Sequence, residues 1–115
     1  MLKQIRIMLK QRRIKKYETI LDELRIKYGL STFTDTHALL SNDHQYFIMG
    51  IVYLDGTLYY KKNFFFDKDQ NLYCDSEYTK ITNTNKIEKL LLECMRNLKE
   101  AKFKLKEMKI ENDFN

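Results

Sequence analysis

Residues 46–66 read YFIMGIVYLDGTLYYKKNFFF, two runs of β-branched and aromatic residues that meet at Asp55-Gly56. Such side chains suit the pleated, half-buried surface of a sheet, and Asp-Gly supplies the two positive-φ residues of a type I′ turn. The stretch therefore predicts a two-residue hairpin with arms over 46–54 and 57–66. A polar turn from Asp67 to Gln70 leads into a third strand over 71–81, which completes an antiparallel meander. Both faces of the first arm carry large apolar groups, Phe47, Met49, Ile51 and Tyr53 on one and Tyr46, Ile48, Val52 and Leu54 on the other. A sheet with one solvated face would alternate with polar residues, so either helices cover both sides or one face awaits a partner.

Upstream of the hairpin, Ile7, Ile14, Tyr17, Leu21, Leu24 and Tyr28 recur at helical spacing. They predict a helix from about Lys3 to Tyr28, stopped by Gly29 in a left-handed cap with Leu30 folding back on the last turn. Ile5, Ile7 and Leu9 also alternate, which leaves a short strand over the first nine residues as the competing reading. Ser31 to His44 is polar and turn-like, with one helical turn expected at His37 to Leu40. Downstream, Ile87, Leu91, Cys94, Leu98, Ala101, Leu105 and Met108 form a heptad seam on a helix over about 85–110, with Asn85 as N-cap and Glu88 completing a capping box. Such a helix is roughly 39 Å long. That exceeds what the sheet can cover, so the seam is expected to pair with the first helix or with a second subunit, making Ile87, Leu91, Leu98, Leu105 and Met108 a candidate oligomer or partner interface. The expected fold is α+β in a single domain over 1–115: a long N-terminal helix, a three-stranded antiparallel meander and a long heptad-patterned C-terminal helix.

The chain has 115 residues, 43% apolar and 32% charged, the balance of a globular domain. At this length roughly two-thirds of the unfolded surface can be buried, so no metal or disulfide staple is required. Cys74 and Cys94 are too few for a disulfide framework and lack metal-ligand spacing; they read as reduced thiols in a cytoplasmic protein. No apolar run suggests a signal peptide or a membrane span, and no membrane partner is expected.

Residues that could do chemistry are sparse. His37 and His44 lie near Asp35 and Asp43, and imidazole with carboxylate can bind a transition metal or relay a proton, but the spacing fits no catalytic or metal motif. Asp67, Asp69 and Asn71 imitate the first ligands of a calcium loop, which then fails at Leu72 and Tyr78, where glycine and glutamate are needed. The three glycines, Gly29, Gly50 and Gly56, all have structural assignments, which leaves no phosphate loop. The expectation is a chain without enzymatic activity, cofactor or metal; an enzyme using Asp35, His37, Asp43 and His44 is the outlying reading.

Charge gives a stronger signal. Of 21 basic and 16 acidic residues, seven basic ones and no acid fall within the first sixteen positions. On a helix Lys3, Arg6, Lys10 and Arg13 follow spacings of 3, 4 and 3 and share one face, broadened by Arg12, Lys15 and Lys16. Together with Tyr60, Lys61 and Lys62 they combine cations for phosphates with π faces for bases, which points to binding of DNA or RNA. The alternative is a protein-interaction module, a homodimer that docks an acidic protein surface and inhibits a nucleic-acid enzyme, of the kind found in mobile elements and phages. The stretch IRIMLKQRRIKKYETILDELRIKYGLS resembles the opening helices of helix-turn-helix regulators, with the hairpin as a wing. Such a fold needs a recognition helix between Gly29 and the wing, and residues 31–43 offer only Ala38, Leu39 and Leu40 to anchor one, so no family is assigned.

Overall fold

Leucine, isoleucine, lysine, arginine and glutamine dominate residues 2–28, with no glycine or proline among them, and the segment forms one helix, α1, Leu2–Tyr28. The computed structural model describes residues 2–33, 36–43 and 45–114, with side chains as far as 111. The helix ends as its sequence requires: Gly29 takes φ 64°, and the Leu30 amide donates to the Arg25 carbonyl at 3.0 Å. That is the long bond of a Schellman cap, with Leu30 packed against the core beside it. The competing strand over the first nine residues does not form.

No helical turn forms at 37–40. Instead β1, Leu39–Leu40, pairs with β2, Phe47–Val52, and Ser31 bridges back to Leu40. β2 continues antiparallel to β3, Thr57–Tyr60, and β3 to β6, Thr79–Ile81, giving a four-stranded sheet in the order β1-β2-β3-β6. The expected strands over 57–66 and 71–81 are each broken. Their distal halves pair separately as β4, Phe64–Phe66, and β5, Leu72–Cys74, so six strands in two sheets among the described residues replace the three expected. The break is a register slip: Tyr60 opposes Thr79, but four residues on Phe64 opposes Cys74, five residues back. The extra residue lies among 76–78, opposite Lys61 and Lys62, and the new register begins where Asp75 donates its amide to the Asn63 carbonyl and accepts the Asn63 amide on its carboxylate.

The loop joining β2 and β3 differs from the two-residue turn expected. It spans Tyr53 to Gly56, and Gly56 alone takes a positive φ, 67°. The Asp55 carboxylate accepts the Thr57 amide at 3.1 Å, and the Gly56 amide donates to the Val52 carbonyl at 2.8 Å, so the Asp-Gly pair does shape the turn, but as the end of a longer loop.

The C-terminal helix α2, Ile87–Phe114, is preceded by a 3₁₀ turn over Thr84–Lys86. The capping residue is Asn83, two positions before the expected Asn85: its side chain accepts the Asn85 amide at 2.9 Å. Glu88 does not close a capping box either; it accepts from Lys27 Nζ at 2.6 Å and from the Tyr28 hydroxyl, tying the end of α1 to the start of α2.

Cross-strand register decides which sheet face is covered. Met49, Ile51, Leu58, Tyr60 and Ile81 share one face, and all join the core formed with Tyr17, Leu21 and Leu24 of α1 and Ile87, Leu91 and Cys94 of α2. An irregularity in the β1–β2 pairing lets Leu39 oppose Met49 while Leu40 opposes Phe47, which brings Ile48 into the same core. Both helices therefore lie on one side. Fully burying each of Leu21, Leu39, Leu58 or Leu91 contributes roughly 1.5–3 kcal/mol. A second cluster of Phe64, Leu98 and Ala101 seats the middle of α2 under β4.

The heptad seam is thus largely used within the chain. Ile87, Leu91 and Leu98 are buried against the sheet and cannot serve as the expected interface, whereas Leu105 and Met108, further along, are half-buried. Both helices overrun the sheet, α1 past the 53–56 loop and α2 past the β4–β5 turn at the other end. The molecule is consequently 69 × 26 × 26 Å with a radius of gyration of 16.9 Å, against about 13 Å for a compact chain of this length.

Candidate nucleic-acid interface

The core-facing stripe of α1 runs through Tyr17, Leu21, Leu24 and Tyr28. Traced back at the same spacing it becomes Arg13, Lys10, Arg6 and Lys3. The helix face that is apolar over the sheet is therefore cationic where the sheet ends. Lys10 Nζ donates to the Leu54 carbonyl; Arg13 donates from Nε to the Gly56 carbonyl at 2.8 Å and from Nη2 to the Asp55 carbonyl at 3.1 Å. Two of the seven expected phosphate ligands are thus occupied with the hairpin loop. Gly56 permits this approach, since a Cβ there would lie 2.8 Å from Lys10 Cγ and 3.0 Å from Arg13 Nη2.

Lys3, Arg6, Arg12, Lys15 and Lys16 are exposed, and among the described residues none has a side-chain hydrogen bond or ion pair. Leu2 to Leu9 extends roughly 12 Å beyond the loop contact as a free arm. Its apolar residues Leu2, Ile5, Ile7, Met8 and Leu9 are all about half exposed or more, and Leu2 reaches 75%. Ile7, expected on the buried stripe, is among them because the sheet stops short of it.

The second part of the expected site is not beside the first. Lys10 and Arg13 meet the chain at residues 54–56, whereas Lys61 and Lys62 lie at the other end of β3, roughly 20 Å along the strand. Tyr60 is 6% exposed and belongs to the core, where burial raises the pKa of its hydroxyl. Lys61 is also 6% exposed: its ammonium donates to the Asp75 carbonyl at 2.5 Å and sits 4.0 Å from the Tyr78 ring centroid. Neither can reach a nucleic acid. Lys62 is exposed, and its backbone carbonyl accepts from Asn97 Nδ2 at 2.9 Å.

The alternation of β3 puts Tyr59, not Tyr60, on the open face. There Phe47 and Tyr78 meet edge to face with centroids 5.4 Å apart, and Tyr59 and Tyr78 at 6.4 Å. The Phe47 ring fills the space above Gly50, where a Cβ would approach its Cζ to 2.8 Å. Further along the same hairpin Phe65 and Tyr73, directly opposed in register, stand at 5.7 Å on the side away from α2. Period-two counting from the buried Leu58 could have found Tyr59 and Phe65. Tyr78 and Tyr73 were hidden by the register slip between them.

Of the histidines and aspartates near residue 40, the two described ones, His37 and Asp43, have different partners. His37 Nδ1 lies 2.9 Å from Asp22 Oδ1 and Nε2 lies 3.2 Å from Glu18 Oε2, so the ring is held between two carboxylates one turn apart on α1. The Tyr53 hydroxyl donates to the same Glu18 oxygen at 3.0 Å; burial first, and then this carboxylate, raises the pKa of that phenol. Because the two carboxylates sit on opposite ring nitrogens, no single point is within reach of all three groups. Among the described residues no three His, Cys, Asp or Glu side chains are placed to hold a metal ion.

Asp43 pairs elsewhere, accepting from Ser41 Oγ at 2.5 Å, Lys102 Nζ at 2.9 Å and the Gln45 amide at 3.2 Å; these bonds, Ser41's first, hold its pKa down at about 2. Asp35 and His44 lie outside the described residues. Cys94 is fully buried, and burial pushes its thiol up to about 12, in keeping with a packing role.

No helix among the described residues is long and apolar enough to cross a membrane. Compared with known proteins, the chain matches no family model, no curated protein and no solved structure.

Proposed function

We propose that the protein is a non-enzymatic binder of nucleic acid that contacts phosphates through the N-terminal arm of α1. The observation that carries this reading is the set of five exposed, unpaired cations, Lys3, Arg6, Arg12, Lys15 and Lys16, on a helix whose first sixteen positions contain no acid. An ordinary solvated face intersperses acids. The helix also lacks an acid in its first turn, so Lys3 lies in the unfavourable field of the helix N-terminus, and a phosphate near it relieves both charges. Lys3 and Arg6 overhang the end of the hairpin loop, and Lys10 and Arg13 hold the arm at that angle.

The exposed Leu2, Ile5 and Leu9 favour a second reading, docking of the arm on an acidic protein. Fluorescence anisotropy of single- and double-stranded DNA and RNA probes across a salt series tests the first. Five phosphate contacts on a duplex predict a slope of log K against log salt of about −4.5, so affinity falls roughly 500-fold between about 50 and 200 mM salt. Arg12→Ala with Lys16→Ala should reduce the slope to about −2.7. No binding at low salt, or a slope unchanged by that double substitution, would overturn the reading.

A further inference from the structure

Among the exposed apolar surfaces of this chain, two carry opposite charge. One is the arm stripe Leu2, Ile5 and Leu9, at spacings of 3 and 4 on a helix face distinct from that of Lys3, Arg6, Lys10 and Arg13. The other is the open face of the long hairpin, with Phe47, Tyr59 and Tyr78 at one end and Phe65 and Tyr73 at the other. Tyr78 is 52% exposed although a buried ammonium fixes its ring from beneath, an unusual expense of a charged group on a residue that faces water.

We propose that a second copy of the chain covers both surfaces: in a twofold dimer, the arm stripe of each subunit packs on the open hairpin face of the other. Charge selects this arrangement. The arm carries Lys3 and Arg6 and no acid, and it projects from a segment, residues 1–16, that has seven cations and no acid, whereas residues 53–81 carry the carboxylates Asp55, Asp67, Asp69, Asp75 and Glu77 against four lysines, of which Lys61 is buried. Pairing arm with arm would bury the same stripe but set Lys3 and Arg6 against their own copies across the 8–10 Å separation of packed helices, without a counter-charge. Of the α2 seam, Ile87, Leu91 and Leu98 are already buried, and the apolar residues that α2 does expose, Phe103 and Ile110 among them, sit on a helix that carries charges of both signs. The arm itself argues for a cover: it is the terminal stretch of α1, with cations at its N-terminus and its apolar residues in water, and the end turns of a helix are its least stable part.

The inference does not depend on the nucleic-acid reading, and its test contains no nucleic acid. Sedimentation equilibrium on the full chain over a wide concentration range compares the wild type with an arm variant, Ile5→Ser with Leu9→Ser, and a face variant, Tyr73→Ser with Tyr78→Ser. All four side chains are solvent-exposed in the subunit, and removing Tyr78 opens Lys61 to water, so circular dichroism should show both variants folded. The wild type should dimerise, and each variant should dimerise at least tenfold more weakly. An equimolar mixture of the two should then associate more tightly than either alone, because the intact arm of the face variant meets the intact face of the arm variant and restores one of two contacts. A wild type that stays monomeric at 100 µM overturns the proposal. So does a face variant that dimerises like the wild type, which is the result arm-to-arm pairing gives, or a mixture that associates no better than its components.

Discussion

Asp43 joins the turn after β1 to the middle of α2, and its titration gives a stability term whose size and pH window follow from the structure. Ser41 Oγ, itself buried, donates to the carboxylate and accepts the Tyr46 amide; Lys102 Nζ reaches the same carboxylate from α2 and lies 5.5 Å from the Tyr46 ring centroid. Folding lowers the pKa from 3.8 to about 2. The unfolded chain therefore takes up this proton first, so the stabilisation is complete above about pH 4 and disappears as pH falls toward 2. The full shift would correspond to about 2.4 kcal/mol. With 36% of the side chain exposed, solvent screening reduces that to about 1 kcal/mol, or roughly 4 °C in Tm for a chain of this size. Urea denaturation of the wild type and Asp43→Asn at pH 7, 4, 3 and 2 measures it. The difference should be near 1 kcal/mol at pH 7 and 4, and it should close on approaching pH 2. A difference that stays constant across the series would show that the substitution acts through packing, refuting the charge argument.

Gly56→Ala should lower stability by about 1–2 kcal/mol, combining an unfavourable positive φ with displacement of Lys10 and Arg13 from the loop carbonyls. In a double-mutant cycle with Arg13→Ala the two losses should fall short of additive, and full additivity would mean that Arg13 does not lock the loop. The cysteines should separate by rate: a thiol reagent should modify half-buried Cys74 well before Cys94, which is fully buried with its thiolate disfavoured, and equal rates under native conditions would contradict the core placement of Cys94.

The sequence by itself determined the elements whose signals are local. Helical spacing and Gly29 define α1 and its Schellman stop, the heptad period defines α2, and the aromatic runs on either side of Asp55-Gly56 define an antiparallel hairpin, because each depends on contacts within a few residues. The cationic stripe was equally legible, since charge and spacing require no fold. What tertiary structure alone decided is who meets whom. Lys10 and Arg13 look no different from Lys3 and Arg6 in the chain, yet the reach of the 53–56 loop makes two of them loop ligands and leaves the other two free. Tyr60 and Lys61 read as surface residues until the register against β2 and β6 turns Tyr60 inward and places Tyr78 over the Lys61 ammonium. The one-residue slip between Tyr60 and Phe64 splits the sheet, and period-two counting along a single strand cannot detect a residue gained on its neighbour. Ile87, Leu91 and Leu98 of the heptad seam are taken up within the chain for a related reason: a repeat specifies that a helix face will be buried, while the partner that buries it, here mainly the sheet of the same chain, is set by packing among segments distant in sequence.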